Sequence, residues 1–147
     1  MTLAQTISAS PNDSEALAHV VEHFAADSGT LHFLAADGLL HLAACSSGMP
    51  EAVMEKIRVI PVGKGMAGLA VERGAPVDAC NIQTDTSGDV RPGARSTGLA
   101  GAIVVPIFSG DDVVGTLGIA SRAERTFSDG EIKELVELGR AFVGRRA

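Results

Sequence analysis

Tryptophan and tyrosine are both missing from this 147-residue chain, and aromatic residues amount to only 3% of it. That scarcity removes the stacking platform on which single-stranded nucleic-acid binding relies. Positive charge is also short. Twelve Lys and Arg face eighteen Asp and Glu, and a net charge of −6 repels nucleic acid and anionic lipid alike. The only basic clusters are Arg91/Arg95 and Arg140/Arg145/Arg146. Cysteine occurs twice, at Cys45 and Cys80, outside any CxxC and with no histidine at metal-ligand spacing. The sequence alone leaves a disulfide open, but sparse cysteines read more naturally as reduced thiols of a cytoplasmic protein. No apolar run reaches the roughly 20 residues that span a bilayer. Met1 to Ser10 has neither a positive n-region nor a continuous apolar stretch, so no signal peptide is expected. No metal site and no cofactor is implied.

Hydrophobic residues make up 46% of the chain, enough for a full core without a staple. The length fits one domain over 11–147, preceded by a flexible, frayed segment over 1–10. A first helix is expected after Ser10 as cap and Pro11 as first helical residue, with Leu17, Val20, Val21 and Phe24 on one face. Thr30–Ala36 and Leu39–Cys45 read as a hairpin turning at Asp37-Gly38. A helical stretch from Glu51 and a strand over Ile57–Val62 lead to the glycine-rich turn Gly63–Gly68. A helix then runs from Gly65 to about Arg73 and stops at Gly74. Pro76–Cys80 is extended, and Asn81–Gly98 is a long polar loop, the kind that is usually functional or mobile. Ala102–Phe108 and Asp112–Ser121 form a second hairpin. The last helix opens on the capping box Ser128/Glu131 and carries the apolar stripe Ile132, Leu135, Val136, Gly139, Phe142 and Val143. Hairpins of this kind imply an α+β domain with an antiparallel sheet.

The glycine-rich turn is the most suggestive local feature. Gly63 and Gly65 permit a sharp turn, and the N–H groups of Gly65, Met66 and Ala67 are first-turn donors without intrahelical partners. Such a helix start favours an anion. The competing reading is that these glycines serve only close helix–sheet packing. The turn is not a P-loop, because no Lys-Ser/Thr follows its last glycine, and its spacing is not that of a Rossmann fingerprint.

Val62-Gly63-Lys64-Gly65 with Gly68, Gly74 and Pro76-Val77, then Ala102–Ile107, Val114–Ile119 and Arg125-Thr126-Phe127-Ser128-Asp129 follow one another in an order and spacing that closely resemble a GAF domain. The resemblance covers essentially the whole chain and looks like a free-standing member of the family. It implies a GAF-like (profilin/PAS-related) antiparallel sheet of five to six strands with the N- and C-terminal helices on one face. A small-molecule pocket would lie on the other face. It further implies a cytoplasmic sensing module that acts through a homodimer of its terminal helices, or through contacts with a sensor kinase or other regulator. Leu138, off the main apolar stripe, would add to such a dimer surface.

The ligand-binding residues expected on this basis are Gly65, Met66, Ala67, Cys80, Arg95, Ser96, Thr97 and Ile103, with Arg91 and Arg95 as an anion clamp opposite the helix start. Free-standing GAF proteins that bind nitrate hold it near the same helix start. Free methionine-(R)-sulfoxide reductases are an enzymatic subgroup of the same family and form the alternative, which here would have to use Cys80 with Cys45. The family's cysteine positions fall on Ala67 and near Arg95, so no catalytic residue is assigned. A ligand-free dimerising adaptor is the remaining alternative. His19 and His23 read as a solvated helix face, while His32 or His41 is left open as a residue facing a sheet-side pocket.

Overall fold

Alternation along three long strands decides the architecture. In β1 (Ser28–Leu34), β5 (Gly101–Ser109) and β6 (Asp112–Ser121), Leu31, Ile103, Val105, Ile107, Leu117 and Ile119 fall on one face and are fully buried there. β2 (Leu40–Cys45), β3 (Val59–Ile60) and β4 (Val77–Ala79) complete a six-stranded sheet in the order β3-β2-β1-β6-β5-β4, with every neighbouring pair antiparallel. The computed structural model describes residues 1–146, except the side chains of Pro92, Gly93 and Ser96.

Helices α1 (Leu3–Ala9), α2 (Asp13–His23) and α5 (Asp129–Gly144) cover the face that carries the large residues. Ile7, Leu17, Val20, Leu135 and Phe142 interlock with Leu31, Ile103 and Leu117 in one cluster. α5 begins as its sequence predicts: the Ser128 hydroxyl accepts from the Glu131 N–H at 3.2 Å, and the Glu131 carboxylate accepts from the Ser128 N–H at 3.0 Å. The opposite face carries α4 (Gly65–Arg73). α3 (Glu51–Ile57) lies beyond it, against a 3₁₀ turn at Pro92–Thr97.

Four expectations are corrected. Residues 1–10 hold a helix rather than a frayed end, because Thr2 and Gln5 form a capping box and Ile7 is fully buried. The next helix is capped by Asn12, whose Oδ1 accepts from the Glu15 N–H at 2.9 Å, since the Ser10 hydroxyl is already committed to the Thr6 carbonyl at 2.8 Å. The strand read over Ile57–Val62 shrinks to two residues, because α3 runs through Ile57 and Pro61 brings no N–H to a ladder. Leu138 belongs to the buried cluster and is not available on the outer surface of α5.

One side chain fastens the helical layer. Arg145, just past α5, donates to Asp13 Oδ1 at 3.0 Å, to the Ile7 carbonyl at 2.8 Å and to the Ser10 carbonyl at 2.7 Å. It thereby closes the C-terminal end of α1 and the start of α2 with one guanidinium. Arg146 adds a fork to the same carboxylate, and the two arginines, Arg146 foremost, hold Asp13 below the usual carboxylate range. Arg145→Met is expected to lower unfolding stability by about 1–3 kcal/mol, since it takes the donor from the Ser10 carbonyl, one of two donors from the Ile7 carbonyl and one of two arginines from Asp13. Urea unfolding measures the loss. Hydrogen exchange should show α1 losing protection first, and unchanged protection there would contradict the clip.

Candidate functional site

The second face of the sheet owes its shape to small side chains. Strand pairing lines up Ser28, Ala120, Ala102 and Ala79 in one row across the sheet, and Thr30, Gly118, Val104 and Val77 in the next. His32, Thr116 and Pro106 make a third. Two rows of mostly small residues leave the floor low beside the first turn of α4. A cavity of about 530 Å³ remains. Met66 and Ala67 of α4, Val53 and Ile57 of α3, and Ile82, Val90, Ala94 and Leu99 of the connection to β5 wall it. Among the described residues its charged lining is Lys56, Lys64 and Arg91, all exposed, with no carboxylate. A concave, mostly apolar space with a few polar groups of one sign is the usual form of a small-molecule site.

The glycine-rich turn packs closely at Gly68 and leaves the first-turn donors of α4 without a described acceptor. At Gly68 a Cβ would stand 2.4 Å from the Pro61 carbonyl oxygen, so this glycine is required by close packing. Gly65 adopts φ +66°, and a Cβ there would meet Arg91 Cδ at 2.8 Å. The aliphatic stem of Arg91 therefore lies across the first residue of α4. Lys64 supplies no side-chain cap, the first turn has no acidic residue, and no described residue accepts from the N–H groups of Gly65, Met66 or Ala67. Unsatisfied donors, the positive end of the helix dipole and an arginine thus meet on one side of the cavity.

Of the residues expected from the sequence, Gly65, Met66, Ala67 and Thr97 line the cavity, as does Arg91. The Thr97 hydroxyl is spent locally, donating to the Ala94 carbonyl at 2.7 Å and accepting from the Leu99 N–H at 3.1 Å. Arg95 is not a wall residue. Its guanidinium donates to the Ile82 carbonyl at 3.4 Å and the Asp85 carbonyl at 3.1 Å, so it holds the long loop together rather than facing Arg91 across a ligand. Ile103 borders the space, but the strand period sends its side chain into the core beneath the helices and puts Ala102 and Val104 on the cavity side. The Ser96 side chain lies outside the described residues. Cys80 is exposed at the end of β4 and away from the cavity, its sulfur accepting at 3.8 Å from the Thr126 hydroxyl.

The two cysteines are not partners. Cys45 ends β2 and Cys80 follows β4, four strand positions away in the sheet, which at about 4.8 Å per strand is on the order of 19 Å along its surface. A disulfide needs Cα atoms within about 7 Å, so none forms within one chain. Burial also pushes the Cys45 thiol pKa up, away from a reactive thiolate.

His32 was one of two histidines left open as facing the pocket, and the structure separates them. His41 bonds to Asp37 at 2.7 Å in an exposed pair outside the cavity. His32 lines the cavity and is 2% exposed. A bulge sits beside it, where Ala43 is inserted between the pairs Leu31–Ala44 and His32–Leu42. Its Nε2 donates to the Ile57 carbonyl at 2.7 Å, so the neutral ring carries its proton on Nε2 and leaves Nδ1 as a bare acceptor. Among the described residues that Nδ1 has no hydrogen-bond partner, and neither has the buried hydroxyl of Thr116, paired with His32 on β6. Ser28, Thr30, Lys56 and Lys64 also line the space, and sequence reading passed over them. The only hint was that Ser28, Thr30 and His32 stand two residues apart along a strand.

The sequence pattern of the GAF domain matches residues 14–142. The chain belongs to the GAF domain family. Its fold recurs in the GAF domain of an Acinetobacter phosphoenolpyruvate-protein phosphotransferase, at TM-score 0.76 and 20% identity over 97% of this chain and 87% of that one. It recurs equally in the free methionine-R-sulfoxide reductase of Neisseria meningitidis solved with its substrate, at TM-score 0.76 and 21% identity over 98% of this chain and 86% of the other. A Staphylococcus aureus NreA protein mutated in its nitrate binding site aligns at TM-score 0.66 and 20% identity over 82% of this chain and 96% of its own. At these identities the likeness is one of fold. No curated protein sequence matches the chain. Signalling domains and an enzyme thus share this GAF architecture, and the site must decide between them.

Burial is the main influence on His32 and lowers its pKa, against the opposing pull of the Ile57 carbonyl. In the unfolded chain an ordinary histidine takes up a proton below about pH 6.5, whereas the buried ring resists it. His32 therefore favours folding fully above that pH, and its contribution falls as the pH drops toward the depressed value. Denaturant unfolding at pH 7.5, 6.5 and 5.5 should show stability falling on acidification. His32→Gln, which does not titrate, should fall less, and identical pH profiles for the two proteins would contradict the assignment.

Proposed function

We propose that this GAF domain is a ligand-sensing module whose ligand is a small organic anion with an apolar body. The observation that carries this reading is the union of two features in one cavity: an apolar space of about 530 Å³, and a lining that includes Arg91, Lys64, Lys56 and the uncapped start of α4 with no carboxylate among the described lining residues. An inorganic anion alone would leave the apolar walls unused, since cavities of 300–1,000 Å³ suit molecules of drug-like size. The anionic group would sit at the first turn of α4, where N–H donors and a guanidinium add charge-assisted hydrogen bonds. Output would pass through the helical layer on the far face, to a second copy or to a regulator in the cytoplasm. The sulfoxide reductase reading draws no support from the cavity, which has no cysteine in its lining.

Thermal unfolding in the presence of candidate ligands tests this. Linear and branched C4–C8 carboxylates, amino acids, nucleotides, nitrate and sulfate are compared at equal concentration. A ligand present at 100 times its Kd adds about 2.7 kcal/mol and should raise the midpoint by roughly 5–10 °C in a domain of this size. At least one organic anion should do so, while nitrate and sulfate do little. Ala120→Leu, which fills the floor beneath Met66, should abolish the shift. A flat response across the carboxylates would overturn the proposal.

A further inference from the structure

Arg91 is the only arginine in the described lining of the cavity, and nothing grips its guanidinium: among the described residues it makes no ion pair and no side-chain hydrogen bond. An arginine left to itself explores many rotamers, and a bound anion would have to order it. Its backbone, by contrast, is held on both sides. The Arg91 carbonyl accepts from the Ala94 N–H at 2.9 Å. On the other side Val90 is buried in a cluster with Ile82, Ala102 and Met66. Asp89, before it, takes two bonds of 2.9 and 3.1 Å from Arg73, the last residue of α4, and Arg73 is the main cause of a lowered Asp89 pKa. Residues 89–91 therefore run back along α4. Asp89 is tied to the last residue of the helix, Val90 turns into the cavity wall, and the Arg91 stem crosses the first residue, where a Cβ on Gly65 would stand 2.8 Å from Arg91 Cδ. Those two helix residues lie about 12 Å apart along the axis, more than the roughly 7 Å that two extended peptide units cover. The two arginine side chains span the remainder, one from each end.

We infer that Arg73 and Asp89 are positioning residues for Arg91: their paired bond holds the Arg91 guanidinium at the start of α4, where the anionic group of a ligand is recognised. The inference rests on the organic-anion reading and adds to it a pair that does not itself line the cavity. Gly65 supplies the other half of the placement. Without a Cβ it gives the aliphatic stem of Arg91 a flat seat, and the Asp89 bond fixes the backbone from which that stem departs. An exposed ion pair adds little to global stability. A small bias suffices here, because it acts two residues away and not on the whole fold. The coupling is reciprocal: an anion seated on Arg91 strengthens the Arg73–Asp89 pair by the same factor by which the pair strengthens its binding. Occupancy of the cavity thereby reaches an ion pair that the ligand never touches.

The full chain is titrated by calorimetry with hexanoate and with hexan-1-ol, a probe of the same length without the charge. The unaltered protein should bind hexanoate more tightly than hexanol. Arg73→Met and Asp89→Asn should each weaken hexanoate about three- to tenfold and leave hexanol within about twofold. The two variants change the net charge in opposite directions, so a shared loss does not come from the long-range field. Asp89→Asn, whose charge change alone favours an anion, carries the test if Arg73→Met does not fold. In an Arg91→Met background, adding Asp89→Asn should weaken hexanoate no further, whereas a merely structural defect of the connection would do so. The inference is overturned if the protein prefers hexanoate and Asp89→Asn leaves that affinity unchanged, if hexanoate and hexanol weaken together, or if the loss persists without Arg91. Those outcomes leave the organic-anion reading standing. A protein that binds hexanoate no better than hexanol, or binds neither, removes both.

Discussion

The two-residue period of the central strands is the constraint from which the rest follows. A strand sends successive side chains to opposite faces, and here that rule sorts size. The residues Leu31, Ile103, Val105, Ile107, Leu117 and Ile119 face the helices, while Thr30, Ala102, Gly118 and Ala120 face away. The large set makes the core. The small set cannot fill the space under α4, and the cavity is what the strand period leaves when one face has been given the bulk. The core and the cavity are therefore separate properties of the same three strands, one on each side.

Because of this separation, the cavity can be shaped by residues that the core does not need. α4 is brought to the sheet by the close approach of Gly68 to Pro61, and its first turn is left uncapped with Arg91 across Gly65. The long connection from β4 to β5 is held by its own network, in which Gln83 donates to the Arg95 and Leu99 carbonyls, Arg95 donates to the Ile82 and Asp85 carbonyls, and Arg73 of α4 grips Asp89 with two bonds of 2.9 and 3.1 Å. Of the two arginines read as an anion clamp, Arg95 thus organises the wall and Arg91 lines the cavity.

Much of the fold was legible in the sequence because its signals are local. The alternation in β5 and β6, the Asp37-Gly38 hairpin, the Ser128/Glu131 capping box and the helix opened by Gly65 all arise within a few residues. α1 carried an equally local signal in Thr2 and Gln5, hidden by the polar, small-residue character of the segment around it. The site was less legible. Arg95 and Arg91 differ only in which way the 3₁₀ turn points them. Ile103 and Ala102 exchange roles under a shift of one residue. The row of His32, Thr116 and Pro106 exists only after β1 has paired in register with the distant β5–β6 hairpin. A bulge at Ala43 sits next to that row, and nothing near Ala43 announces it.

The same alternation that divides bulk from space also fixes what the two faces can tell each other. Thr30 borders the cavity and Leu31, the next residue, is locked among the side chains of α2 and α5. The two share a peptide unit, which is planar and stiff. A molecule pressing on the floor would meet no side chain able to rotate aside at Ala102, Gly118 or Ala120, so the strain would go into the backbone of β5 and β6, against which β1 is paired. That backbone is also the seat of the helical layer. In this sheet the distance between being occupied and being felt on the other side is one peptide bond.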